Sequence, residues 1–150
     1  MKCNPVLPAE ITANDSVNHP KHYTSHPSGV EVIELTENLS FCAGNAVKYL
    51  ARKDLKGNAV EDLRKALWYF ERERNRIGPD AREELPIEID DALEKFLKHE
   101  PFGNILHKVL AILDEGITWA TLHACRDMVE LEILKVTGKS VSTAVATGKE

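Results

Sequence analysis

The chain has little of what marks several protein classes. Its three cysteines, Cys3, Cys42 and Cys125, are widely spaced and form no CxxC pair, so a disulfide framework or zinc knuckle is not expected. Buried or idle thiols fit better. No apolar run approaches the ~18 residues of a membrane span, and Pro5, Pro8 and Glu10 interrupt the opening stretch where a signal peptide would be apolar. The expectation is a cytoplasmic protein without a membrane partner. Basic residues are not in excess, with 19 Lys and Arg against 24 Asp and Glu and a net charge of −5, which argues against coating extended nucleic acid. A phosphate-cradling glycine loop is missing too. Thr137-Gly138-Lys139-Ser140 resembles the end of a Walker A loop, but Ile133 stands where its first glycine belongs, and Leu131 to Val136 continues a helical pattern that Gly138 would cap.

What is there reads as an ordinary globule, 43% hydrophobic and 29% charged over 150 residues. The charge is uneven. Residues 14–76 hold ten Lys and Arg against nine Asp and Glu, whereas 77–150 hold eight against fourteen, so an anionic ligand belongs to the first part.

The chain is organised around Gly44 to Phe70. Val47, Leu50 and Ala51 recur at helical spacing, and after Lys56-Gly57-Asn58 the pattern resumes with Val60, Leu63, Ala66, Leu67 and Phe70. A helical hairpin follows, with Gly57 and Asn58 ending its first helix and Glu61 and Asp62 in the first turn of its second, where the macrodipole favours anions. On the other face Lys48, Arg52 and Lys56 form a row beside Tyr49, and Lys65 and Tyr69 repeat the cation-then-aromatic pairing. Cations and rings so mixed suit a ligand with phosphates and a flat base. A solvated basic face with rim aromatics is the plainer alternative.

Ahead of the hairpin, Val17-Asn18-His19-Pro20-Lys21-His22-Tyr23 packs two imidazoles, a lysine and a phenol into a loop that Pro20 holds extended. His19, His22 and His26 have metal-ligand chemistry, but Pro20 and Pro27 break the segment and no H-e-x-x-H or cysteine cluster supports them, so no metal ligand is assigned. Hydrogen bonding to phosphate, or structural capping, remains. Ser28-Gly29 is a turn, and Val30 to Phe41 predicts a helix in which Glu34 sits between core positions. Such a carboxylate orders a basic cluster or serves as a base when burial raises its pKa. Asn38, Ser40, Gly44 and Asn45 mark the link to the hairpin, where free N–H groups would meet a phosphate.

These segments, in their order, carry a resemblance. Val17 to Tyr23, Glu31-Val32-Ile33-Glu34, Gly44-Asn45-Ala46-Val47-Lys48-Tyr49-Leu50-x-Arg52, Lys56-Gly57 and Asp62-Leu63-x-Lys65-Ala66-x-Trp68-Tyr69 resemble a small bacteriophage-encoded family of unknown function often labelled phage nucleotide kinase. The likeness covers about residues 14–76. It implies a phage protein in a bacterial host cell that handles (deoxy)nucleoside monophosphates as a phosphotransferase without a Walker A loop. Carried onto this chain, the family positions are His19, Lys21, His22, Tyr23, Glu34, Asn45, Lys48, Tyr49, Arg52, Asp62, Lys65 and Tyr69. On our reading His22, Glu34, Lys48 and Arg52 take catalytic roles, with Lys48, Arg52 and Lys65 neutralising the phosphoryl group and His22 or Glu34 orienting the acceptor. His19, Lys21, Tyr23, Asn45, Tyr49, Lys56, Lys65 and Tyr69 bind substrate. No dedicated cofactor site is evident, and magnesium would enter with a nucleotide.

Beyond Arg76, residues 77–86 read as a linker. Ile89, Leu93, Phe96 and Leu97 mark one amphipathic helix, Ile105 to Leu113 a second ended by Gly116, and Thr118 to Ile133 a third capped by Thr118. Residues 1–13 and 138–150 read as loose tails around a domain at 14–76 and a helical extension at 87–137. His99, His107 and His123 stand singly and read as structural.

The expected fold is all-α, about six helices, with the loop against the hairpin and three helices after it. Since a small hairpin cannot enclose a nucleotide alone, a homo-oligomer sharing its site is expected. Three other functions compete. One is a non-catalytic nucleotide binder or sequestering protein. Another is an all-α pyrophosphohydrolase, because Glu31-x-x-Glu34 and Glu88-x-x-Asp91 fit its magnesium-binding pairs. The last is a helical scaffold with its basic face on an acidic partner.

Overall fold

A computed structural model describes residues 17–83 and 87–138, apart from the side chains of residues 22, 87 and 88. The tails, Cys3, Lys139 and Ser140 lie outside the described residues. The order is α1 (Lys21–Thr24), α2 (Val32–Thr36), α3 (Phe41–Arg52), α4 (Ala59–Ile77), β1 (Arg82–Glu83), α5 (Ile87–Leu97), α6 (Ile105–Asp114), β2 (Ile117–Thr118) and α7 (Trp119–Thr137). The all-α expectation holds, since the two-residue strands make only one antiparallel rung pair, Arg82 with Thr118 and Glu83 with Ile117. That pairing takes up part of the stretch read as a linker.

The hairpin is α3 and α4, and its apolar faces are those the periodicity selects. Val47, Leu50, Leu63, Ala66, Leu67 and Phe70 are all buried. Between the helices Gly57 takes φ +74°, which only glycine adopts freely, and Asn58 begins α4 instead of ending α3. Its side chain accepts the Glu61 N–H.

Two boundaries differ from the sequence reading. The helix expected over Val30 to Phe41 stops after Thr36, because Ser40 caps α3 four residues ahead of Gly44, with its hydroxyl accepting the Ala43 N–H at 3.2 Å. Gly44 and Asn45 thus lie inside α3, and the Gly44 N–H donates to the Ser40 carbonyl at 2.8 Å. The Gly44 N–H is spent inside the helix, and the helix start lies at Ser40 and Phe41. Gly44 has a packing role: a Cβ would come within 3.0 Å of the Thr36 carbonyl, so α2 ends directly against α3. The second difference is in the His19–Tyr23 segment. Pro20 is extended at ψ 132°, as its ring favours, but Lys21–Thr24 then forms one helical turn for which Pro20 is the N-cap.

The three later helices fall where their patterns put them, with Thr118 capping α7 and Gly138 ending it at φ +70°. They are not a separate layer. α4 and α6 both pack on α3 and on α7, and one apolar cluster runs from Val30 and Leu35 through Phe70 to Val109, Leu122 and Ile133. Cys125 belongs to it, and burial pushes its thiol up to about 12, which suits an idle cysteine. Cys42 is also raised, first by burial and then by Glu73.

Glu73 is fully buried and ties the start of α3 to the end of α4. Ser40 Oγ donates to its Oε1 at 2.6 Å, and Arg76 donates to both oxygens, at 2.7 and 3.1 Å. Burial alone would raise the Glu73 pKa; the Arg76 and Ser40 hydrogen bonds outweigh it and hold the carboxyl below its ordinary value. The sign follows. A depressed folded-state pKa contributes stability that is present above the unfolded value of about 4.3 and is lost as pH falls through the lower folded value. Glu73→Gln should therefore be less stable than the parent at pH 7 by about 1–3 kcal/mol in urea unfolding, with the gap shrinking as pH drops below about 4. A gap independent of pH would refute the role given to the carboxylate.

Candidate functional site

The cations of the hairpin converge on one ring. Lys48 Nζ and the Arg52 guanidinium carbon each lie 4.6 Å from the Tyr49 centroid, and Lys65 Nζ lies 5.4 Å from it. Four-residue spacing puts Lys48 and Arg52 on one side of α3, and antiparallel packing brings Lys65 of α4 across to them. Tyr69 stacks on Tyr49 at 5.9 Å between centroids, while Phe41 and Trp68 meet Tyr69 edge-on at 6.1 and 4.9 Å.

Two of the three cations have carboxylates. Arg52 Nη2 donates to Asp62 Oδ1 at 2.9 Å and its Nε lies 3.2 Å from both oxygens, a fork around a carboxylate only 3% exposed. Hydrogen bonding to Asp62 raises the Arg52 pKa, against burial, and a hydrogen bond with the Tyr23 hydroxyl adds to it. Lys65 pairs with Glu61 one turn earlier, which raises its pKa. Lys48 is different. Its Nζ donates to the neutral Asn45 amide oxygen at 2.7 Å, and Asn45 is itself held by donating to the Phe41 carbonyl at 2.7 Å. Burial, then the Arg52 charge, with Lys65 adding, lowers the Lys48 pKa.

Lys48 also stands where two depressions meet. One, of about 250 Å³, is bordered by Pro20, Tyr23, Val32, Ile33 and Thr36, and the other, about 190 Å³, by Ile33, Leu39, Phe41 and Asn45. The first is mostly apolar and lies between the His19–Tyr23 segment, α2 and α3.

Tyr23, Asn45, Lys48, Tyr49, Arg52, Lys65 and Tyr69 are thus brought together. Others are not. Glu34 is exposed rather than set among core residues, and it accepts the Glu31 N–H at 2.8 Å in a capping box. His19 Nδ1 lies 2.9 Å from Glu31 Oε1. Lys21 and Lys56 are exposed, and the His22 side chain lies outside the described residues. The histidines diverge, and no group of three or more His, Cys, Asp or Glu among the described residues is placed to hold a metal. Glu31 and Glu34 serve the cap; Glu88 lies outside the described side chains.

His26 has another use. Its ring stacks on Phe96 at 3.7 Å, its Nε2 is 2.8 Å from Glu100 and its Nδ1 is 2.7 Å from Ser28 Oγ. The Ser28 N–H donates to Nδ1, which puts the ring proton on Nε2, facing the carboxylate. This staple joins the first segment to α5. Its partner Glu100 is 74 residues away, and no local sequence signal could have paired them.

Residues 17–71 match the family described as "Protein of unknown function (DUF3310)". The matched stretch runs from the loop into α4 and contains Tyr23, Lys48, Arg52, Asp62 and Lys65; it leaves out α5 to α7. No curated protein and no solved structure matches the chain significantly. No helix among the described residues is long and apolar enough to cross a membrane.

Two outcomes follow from this geometry. Asp62→Asn should lower unfolding stability by about 3 kcal/mol, because it removes the buried carboxylate that neutralises the half-buried Arg52 guanidinium; a loss below about 1 kcal/mol in urea titration would mean the fork is idle. With acetic anhydride at pH 9, Lys48 should acylate faster than Lys65, since a lowered pKa leaves more neutral amine and a raised one less. Peptide mass spectrometry reads both rates, and equal rates would contradict the assignment.

Proposed function

We propose that this chain is a nucleotide-binding protein, with the base in the depression bordered by Pro20, Tyr23, Val32 and Ile33 and the phosphates on Lys48, backed by Arg52 and Lys65. The observation that carries the reading is the state of Lys48. It is a partly desolvated cation beside two others, held by a neutral amide and the Tyr49 ring with no carboxylate in ion-pair contact among the described residues, at the mouth of an apolar pocket. An incoming phosphate would relieve that repulsion and accept a charge-assisted hydrogen bond. The likeness to phage proteins labelled nucleotide kinase supports a (deoxy)nucleoside monophosphate as ligand and a phage origin, and the family match covers this part of the chain.

Binding without turnover is favoured by two occupied side chains. Arg52 is committed to Asp62, and Glu34 to the start of α2, so neither is free to act on a reacting group. Phosphoryl transfer is the second reading, supported by the cluster of Lys48, Arg52 and Lys65, since that reaction needs mainly positioning and charge neutralisation. His22 would then orient the acceptor, and magnesium would arrive with the phosphates.

Calorimetric titration with nucleoside mono-, di- and triphosphates, followed by chromatography of each mixture, separates these. A monophosphate should bind and be recovered unchanged, and Lys48→Ala should weaken it at least about tenfold, the order of one charged hydrogen bond. Phosphorylated product would turn the reading to a transferase. Binding unaffected by Lys48→Ala would move the site elsewhere, and no binding at all would leave a scaffold.

A further inference from the structure

Away from Lys48, two exposed faces have opposite chemistry. On the outer side of α4, Arg64, Trp68, Arg72 and Asn75 follow one another at helical spacing, and a groove of about 480 Å³ runs beside the last three, past Cys42, Arg76 and Glu71, whose carboxylate is paired with Arg126. Trp68 is 53% exposed, with the Arg72 guanidinium carbon 5.5 Å from its ring. Nearby Phe41 is 76% exposed. Among the described residues, neither Arg64 nor Arg72 has a carboxylate within ion-pair distance.

The second face lies on α5 and α6. There a groove of about 720 Å³ is lined by three carboxylates, Asp90, Glu94 and Asp114, against Lys98 and His107, with Leu97 and Phe102 between them, and Phe102 is 85% exposed. Glu94 is paired with Lys98, but Asp90 and Asp114 have no basic partner among the described residues. α3 and α7 stand between α4 and α6, since each packs on both. α5 packs mainly on α2 and α6, and α4 on α3 and α7, so the two faces belong to different parts of the fold.

Exposed Trp and Arg are the residues that most often anchor an interface, and monomers seldom leave large aromatic patches bare. Unpaired guanidinium groups beside a tryptophan on one face match unpaired carboxylates beside a phenylalanine and a leucine on the other. We propose that the α4 face of one copy docks into the α5–α6 groove of a second copy, with Trp68 against Phe102 and Leu97 and with Arg64 and Arg72 against Asp90 and Asp114. Two different patches meet, so the contact is head-to-tail. It repeats into a ring if the rotation closes and into a filament if it does not. Phe41 and Trp68 touch Tyr69 beside the Lys48 depressions, whereas Arg64, Arg72, Asp90 and Asp114 border neither of them, so the charge substitutions separate docking from nucleotide binding.

Sedimentation velocity on three proteins tests this. The wild type should assemble, and should do so less at 1 M than at 0.1 M salt, because the ion pairs lie at a surface. Trp68→Ala with Arg72→Glu, and separately Asp90→Lys with Asp114→Lys, should each sediment as a monomer. Mixed one to one, each brings the face that the other lacks, and the mixture should form a dimer of one copy of each and nothing larger. A monomeric wild type, a double variant that still assembles, or a mixture that stays monomeric would overturn the proposal. If circular dichroism finds either double variant unfolded, the single substitutions Arg72→Ala and Asp90→Asn replace them. Each should then weaken self-association at least tenfold, and wild-type association by both would overturn it equally.

Discussion

The Arg52–Asp62 fork is the constraint on which the site depends. A carboxylate this deeply buried is costly unless it is paired, and α3 offers Arg52 at the one level where α4 presents Asp62. Forming the fork fixes the register of the hairpin. That register carries Lys65 across to Tyr49 and leaves Lys48 one turn away with no carboxylate in direct contact among the described residues. The Tyr23 hydroxyl joins Arg52 as well, so the same guanidinium ties the first segment of the chain to the hairpin. A single buried charge pair thus sets both the packing of the two helices and the electrostatic asymmetry of the face they present.

Around that fork, polar ties hold the parts that apolar packing alone would leave free to shift. Glu73 gathers Ser40 and Arg76, and so pins the start of α3 to the end of α4. His26 pins the first segment to α5 through Glu100 and Phe96. These contacts are short and directional, and each has a buried carboxylate, Glu73 or Glu100, that must keep its partners. They also explain how the helices after the hairpin bear on the site without lining it. α6 and α7 complete the core beneath α3 and α4, and α5 supports the segment that borders the Lys48 depression.

Much of the helical architecture was legible in the sequence because it depends on near neighbours. The spacing of Val47, Leu50, Leu63, Leu67 and Phe70 selects the buried faces of the hairpin, and Thr118 and Gly138 announce the ends of α7. The short elements were less legible. Val30 to Phe41 has helical periodicity throughout, yet Ser40 captures the Ala43 N–H and restarts the chain as α3; side-chain capping there competes with a weak propensity signal. Glu34 shows the same limit, since its spacing to the apolar residues says nothing about which N–H its carboxylate will accept.

The sequence by itself determined the inventory and its local placement: an all-helical chain, a hairpin whose exposed side is rich in lysine, arginine and tyrosine, and thiols outside any metal pattern. These follow from composition and from spacings of three and four residues, which a helix turns into faces without help from the rest of the fold. Tertiary structure decided which cation is paired across the hairpin. Arg52, Lys48 and Lys65 are chemically similar in the sequence; Lys65 meets Glu61 and Lys48 meets Asn45 inside their own helices, and the packing of α4 on α3 adds the Asp62 carboxylate for Arg52. It also decided that His26 meets Glu100 and that the basic face on α4 and the acidic groove on α5 and α6 are built by different helices. Such pairings depend on distances between residues far apart in the chain, and only a closed core sets those distances.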